Sequence, residues 1–303
     1  MSLRERSVDQ HERRRGILFA VLAGVIFGTA GIFTRSIAGM APIGIAAGRL
    51  LIGAGVMGLL VWRQDRGEEL RRSTQQYPLL LLLGAISSFH FLLFVLAIQK
   101  TFIANALILV NTAPILVLLL APCLLHESIT PLDILSVAIT VLGAGLIVGL
   151  DKILLTRTHL IGDLCALGSA FCYALYVIVA RKLRATYSSP TIMWWFFGLG
   201  AAFLFLGGNL HGEPLYPSPS LTSWLFLGLL GLLPTGIGHF SYNLSLKYLQ
   251  ATKASTIILL EPVTGTLFAV LLLGEIPPLM TWSGIVVALV GISLASLAHL
   301  QGK

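Results

Sequence analysis

Charged residues are scarce in this sequence. Asp, Glu, Lys and Arg make up 11% of the 303 residues, against 56% hydrophobic ones, where a water-soluble domain carries about a quarter charged. So sparse a set cannot coat a soluble globule of this length, which excludes a pair of soluble domains and turns most of the surface toward lipid. Cysteine is rare too. Cys123, Cys165 and Cys172 all lie inside apolar runs without metal-ligand spacing, so neither a disulfide framework nor a zinc site is supported. No Gly-rich phosphate loop occurs, which removes ATP as a drive supplied by this chain. No Ser/His/Asp set or His/Glu metal pair appears within the apolar runs, as an intramembrane enzyme would need. The expectation is a protein that is no enzyme and uses no metal or cofactor. Its partners would be the lipid bilayer and a small-molecule substrate, the chain acting as a monomer or weak homodimer. The +7 net charge would elsewhere suggest nucleic acid. In a chain this apolar it reads instead as Lys and Arg kept on the cytoplasmic side, with no nucleic-acid partner.

What the sequence has in abundance is apolar runs. About 20 residues cross ~30 Å of hydrocarbon, and runs of that kind occur at 16–38, 42–62, 77–98, 103–125, 131–150, 160–180, 189–209, 221–246, 252–273 and 279–299. Pro42, Pro78, Pro131, Pro190 and Pro277–Pro278 sit at or beside span ends, where helices start or stop. The first run follows Arg13, Arg14 and Arg15 but is too long for a signal-peptide core and lacks a cleavage pattern, so it stays a span. The connections near 63–76 and 210–220 read as loops. With the N-terminus inside, fifteen of the twenty basic residues fall on the cytoplasmic side, among them Arg63, Arg66, Arg71, Arg72, Arg181, Lys182 and Arg184. Arg35, Lys100, Lys152 and Arg157 fall outside, and Arg49 lies within span 2. That asymmetry predicts an even span count with both termini in the cytoplasm. Thirty-one glycines fit close helix packing in a membrane.

The second half repeats the first. At an offset of 148, Pro114 matches Pro262, Glu127 matches Glu275 and Gly143 matches Gly291; at 146, Gly16 matches Gly162 and Arg35 matches Arg181. Pro and Glu are scarce in spans, so their coincidence outweighs any Leu–Leu match. Five spans per copy, an odd number, invert the second copy and set Glu127 at the cytoplasmic face and Glu275 at the outer one. The predicted fold is therefore all-α: a polytopic membrane protein of ten transmembrane helices in two inverted five-helix repeats. It comprises a basic tail over 1–15, a first repeat over 16–150 and a second over 160–299. Inverted repeats are a plan of secondary transporters, whose halves exchange conformations to give alternating access. The competing reading is an inert scaffold or assembly factor.

The segment Ser245-Leu-Lys-Tyr-Leu-Gln-Ala251, then Leu260-Glu261-Pro262, Leu273-Gly-Glu275, Trp282-Ser-Gly284 and Gly291, resembles the EamA domain of the drug/metabolite transporter superfamily. So does Gly162-Asp163-Leu164-Cys-Ala166 with Tyr173-Ala-Leu-Tyr176 and Arg181. The first half is similar through Arg49-Leu-Leu, Asn111-Thr-Ala-Pro114 and His126-Glu127, with Ala113 where the second copy has Glu261. The resemblance spans about the whole chain. It implies a ten-span carrier in a bacterial cytoplasmic (inner) membrane that exports amino acids, related metabolites or drugs, with a proton-coupled drug or nucleobase antiporter as an alternative.

Polar side chains inside spans are costly and so are candidates for function. Glu261, directly before Pro262, is the only carboxylate deep in a span. It would carry a coupling proton, bind an amino group, or accept hydrogen bonds around the Pro262 break. Pro114 and Pro262 are candidate hinges or static kinks. His90 and His239 stand one residue from correspondence in spans 3 and 8, as cavity lining or as packing residues. Tyr242 and Asn243 extend the His239 patch. Tyr173 and Tyr176, at i and i+3, would stack on substrate, and Asn111 would face the same cavity. Trp194 and Trp195 read as interfacial belt residues. Arg49 would either attract a carboxylate or snorkel and cap carbonyls. The peripheral place that the family's arrangement gives span 2 favours the structural role. A midplane site lined by spans 1, 3, 4, 6, 8 and 9 is expected.

Overall fold

A backbone in hydrocarbon has no water to bond to and must close its hydrogen bonds internally. Accordingly, each of the apolar runs carries helix in the computed structural model, which describes residues 3–101, 103–148, 159–211, 214–273 and 276–301. No strand occurs among the described residues. Glu275, Lys152, Arg157, Lys303 and positions 149–150 of the expected first repeat lie outside them.

In chain order the helices are α1 (Leu3–Phe27), α2 (Ala30–Arg35), α3 (Pro42–Arg63), α4 (Gly67–Ser73) and α5 (Tyr77–Lys100). Then come α6 (Ile103–Val110), α7 (Ala113–Leu125), α8 (Pro131–Val148), α9 (Leu160–Leu183) and α10 (Ser189–His211). The last are α11 (Leu221–Leu230), a π-helical stretch at Gly231–Gly238, α12 (His239–Ser245), α13 (Ala251–Ile257), α14 (Leu260–Leu273) and α15 (Leu279–Gln301). Pro42 and Pro131 open α3 and α8, where a missing N–H costs no hydrogen bond. Ser220 caps α11 by accepting from the Ser223 amide at 3.1 Å. His126, left-handed at φ 55°, ends α7.

Among the described residues, eight helical segments are long and apolar enough to cross a membrane. They are Glu12–Arg35, Pro42–Arg63, Gly67–Lys100, Ala106–Leu125, Leu160–Leu183, Ser189–Leu210, Leu221–Ser245 and Leu279–Ser296. Pro131–Ile147 is a shorter apolar helix. The run at 252–273 is helical but split, because α13 and α14 are separated at Ile258–Leu259. The 63–76 connection, expected as a loop, is largely helical: Arg72 pairs with Glu68 one turn away within α4, and Thr74–Gln76 carries the chain on into α5.

The two stretches of chain interleave. α1 packs on α12, α13, α14 and the π-helical stretch, α3 on α10, and α9 on α5, α6 and α7. α8 lies along α15, and Gly143 and Gly291 let it approach. A Cβ at Gly143 would sit 2.3 Å from the Ala288 nitrogen, and one at Gly291 would sit 2.2 Å from Thr140 Oγ1. Large apolar side chains such as Leu51, Trp62, Leu119, Leu164, Leu206 and Val286 remain exposed on the outside, as a lipid-facing surface requires.

Candidate functional site: a cavity at the crossing of the halves

Three of the long apolar runs are interrupted by two non-helical residues, at Gly28–Thr29 between α1 and α2, at Asn111–Thr112 between α6 and α7 and at Ile258–Leu259 between α13 and α14. The last two are the pair in which a proline follows the break. Pro114 and Pro262 stand in the first turns of α7 and α14, where proline is tolerated, so each opens the helix after a break rather than bending one. Side chains add hydrogen bonds to the backbone around these breaks. Asn111 Nδ2 donates to Leu107 O at 2.8 Å and Thr112 Oγ1 to Leu109 O at 2.6 Å. Thr264 Oγ1 lies 3.1 Å from both Gly24 O and Leu260 O.

A cavity of about 60 Å³ opens between these breaks. From the first half of the chain it is lined by Phe27, Ala30, Arg49, His90, Phe91 and Phe94, together with Val110, Asn111, Ala113 and Pro114 around the first break. From the second half come Tyr173, His239, Ile258, Leu259 and Glu261.

The imidazoles of His90 and His239 are both buried, with ring centroids 6.3 Å apart. His90 Nδ1 lies 3.0 Å from both Ser169 O and Ser169 Oγ, which fixes that ring against α9. His239 packs 4.7 Å from Phe27 and 5.2 Å from Phe91, and its Nδ1 has no hydrogen-bond partner among the described residues. Tyr173 lies 5.3 Å from His90 at the wall. Behind it, fully buried, are Tyr176, Tyr242 and Asn243. Tyr176 stacks on Phe196 at 4.3 Å, and the Tyr242 hydroxyl is 2.9 Å from Ser255 Oγ.

Of the residues expected from sequence, His90, Asn111, Tyr173, His239, Glu261 and Pro114 meet at this cavity. Tyr176, Tyr242, Asn243 and Pro262 are not on its surface. The peripheral position expected for span 2 is overturned: α3 is packed between α5, α10 and the π-helical stretch, and it delivers Arg49 to the cavity. Arg49 neither snorkels nor caps carbonyls. Its Nε donates to Thr235 Oγ1 at 2.8 Å, and its Cζ lies 4.6 Å from the centre of the Phe91 ring. The acceptor is supplied by the π-helical stretch, which no apolar count reveals. Pro234 removes a backbone donor there, and Thr235 Oγ1 donates back to Leu230 O at 2.8 Å. The Pro234 in mid-span, flanked by Gly231, Gly236 and Gly238, was the available signal.

One end of the crossing is tied by charge. Glu127 accepts from the Ala251 amide at 2.9 Å, capping α13, and from Arg181 Nε at 3.2 Å, while Arg181 also donates to Leu246 O. Burial pushes the Glu127 carboxyl above its ordinary range, and Arg181 and the Ala251 amide pull it back. Lys253 of α13 adds a buried pair to Asp133 of α8 at 3.7 Å.

The EamA-like transporter family matches residues 14–149 and again 160–297, so the chain belongs to that family. An uncharacterized transporter of Clostridium kluyveri is 25% identical, over 92% of either chain. A probable terminal-alkyne amino-acid exporter of Streptantibioticus cattleyicolor is 26% identical over 88% of this chain and 84% of its own. Solute carrier family 35 member G1 of Homo sapiens is 23% identical over 89% and 75% respectively. One solved crystal structure superimposes with a TM-score of 0.80 at 19% identity, covering 93% of this chain and 97% of that one, a likeness of fold. The chain is thus a multi-pass membrane protein of a transporter family.

Proposed function

We propose that the chain is a secondary carrier that exports small organic solutes, amino acids or related metabolites, from the bacterial cytoplasm by alternating access. The observation that carries this reading is the pair of broken helices, α6/α7 and α13/α14, opening onto one cavity between the halves whose apolar wall carries a few polar side chains. Broken helices at a repeat interface are where carriers hold substrate. The sequence repeat supports ten spans in two inverted sets of five, with both termini cytoplasmic. Under this reading His90, Asn111, Tyr173, His239 and Glu261 contact substrate, and Tyr176, Tyr242 and Asn243 back the wall or join it as the halves move. Pro114 and Pro262 mark the paired hinges. The amino-acid exporter among the relatives supports the substrate class, and the narrow cavity favours a small solute over a bulky drug.

The test is a screen of radiolabelled amino acids and nucleobases against purified protein in liposomes. Saturable uptake of at least one amino acid is expected. Uptake confined to nucleobases replaces the substrate class, and no uptake of any solute returns the scaffold reading.

A further inference from the structure

Arg49 and Glu261, a guanidinium and a carboxyl group, line one cavity without touching. Arg49 is 3% exposed and fixed from behind by Thr235 and Phe91. Only its Nε is occupied; Nη1 and Nη2 have no hydrogen-bond acceptor among the described residues. Glu261, on α14 at the other helix break, has a carboxylate that accepts no hydrogen bond among the described residues. Each side chain lies in the electrostatic field of the other, yet no ion pair within 4 Å joins them.

Opposite charges in a low-dielectric interior attract strongly, and leaving either unpaired is costly. A guanidinium and a carboxyl group held apart, with unused hydrogen-bonding capacity facing a shared space, are complementary to a guest that bears a carboxylate and an ammonium, since each charge of the guest finds a partner there. The geometry points to a two-pole site for the zwitterion of an α-amino acid, its carboxylate on the free edge of Arg49 and its ammonium on Glu261. A guanidinium suits the first pole because its fork matches a carboxylate. The rest of the wall sets the side chain. Phe27, Phe94, Val110 and Ile258 are apolar, so neutral amino acids with apolar side chains fit, and a third charge finds no partner. This inference rests on the carrier reading and deepens it. It assigns Arg49, set aside as structural from the sequence, to substrate selection. The π-helical stretch positions Arg49 by presenting Thr235.

The experiment uses the full chain in proteoliposomes with labelled L-leucine and L-phenylalanine. Competitors are the unlabelled amino acids, 2-phenylethylamine (no carboxylate) and 3-phenylpropionate (no amine). In the wild type each truncated analogue should compete at least about tenfold less well than phenylalanine, since a site built for a polar group rejects ligands lacking it. Arg49→Gln should lose amino-acid uptake about tenfold or more and with it the discrimination against the amine. Glu261→Gln should do the same toward the acid, and Arg49→Lys should recover uptake only in part. Equal competition by phenylalanine and both analogues in the wild type overturns the two-pole site while the carrier stands, and this comparison needs no variant to fold. Uptake of other solutes but of neither amino acid overturns the assigned class. Absence of any uptake overturns the carrier reading beneath it.

Discussion

His239 shows how a single residue acquires meaning from its surroundings. An imidazole in an apolar span is ordinarily a packing residue tied by a hydrogen bond, which is what Ser169 makes of His90. His239 has no such tie at Nδ1, sits between Phe27 and Phe91, and borders the cavity. A buried polar nitrogen left open costs free energy that a bound ligand can recover. His239→Phe should keep the packing, leave the melting temperature within about 2 °C, and lower uptake by about tenfold; unchanged uptake assigns His239 to packing alone. Other residues were less legible. Tyr173 and Tyr176 share a helix face at i and i+3, yet only the first reaches the cavity, because Phe196 claims the second. Arg49 was misplaced for the same reason. A sequence reports that an arginine lies at mid-span, but not which neighbour the helix turns it toward.

At the scale of elements, proline was the most informative residue. Pro114 and Pro262 were read as paired features from an offset of 148, and both stand directly after helix breaks that border the cavity. Replacing both with Ala lets each helix run on through its break. The double variant should slow uptake several-fold while the protein stays folded, and wild-type rates would remove the hinge. Gly143 and Gly291, another pair at the same offset, share the α8–α15 contact. Gly291→Val should force those helices apart and cost about 1–3 kcal/mol, read as a lower melting temperature in detergent. An unaltered melting temperature would mean that the contact yields. The π-helical stretch escaped the span count because hydropathy averages over the backbone. Only Pro234 and its neighbouring glycines hinted that the hydrogen-bond pattern changes within that run.

The molecule as a whole divides into a lipid-facing exterior and an interior where the two halves cross. Composition made the first legible through few charges and long apolar runs. The interleaving of α1 with α12–α14, and of α9 with α5–α7, was not legible. Pairing between helices depends on which faces interlock, and membrane spans are apolar all round. That crossing puts groups from seven expected spans around one contracted cavity, while Glu127, Arg181 and Ala251 bind the strands of chain at one end. The proposed carrier, unlike a pore, requires the two halves to part around this site and close again. Counterflow in proteoliposomes tests this most directly. Liposomes preloaded with an unlabelled amino acid substrate should take up the labelled form faster and to a transient overshoot, because an occupied carrier returns with its cargo. Uptake that is insensitive to the preload, or that follows the concentration gradient alone without saturating, would contradict the account.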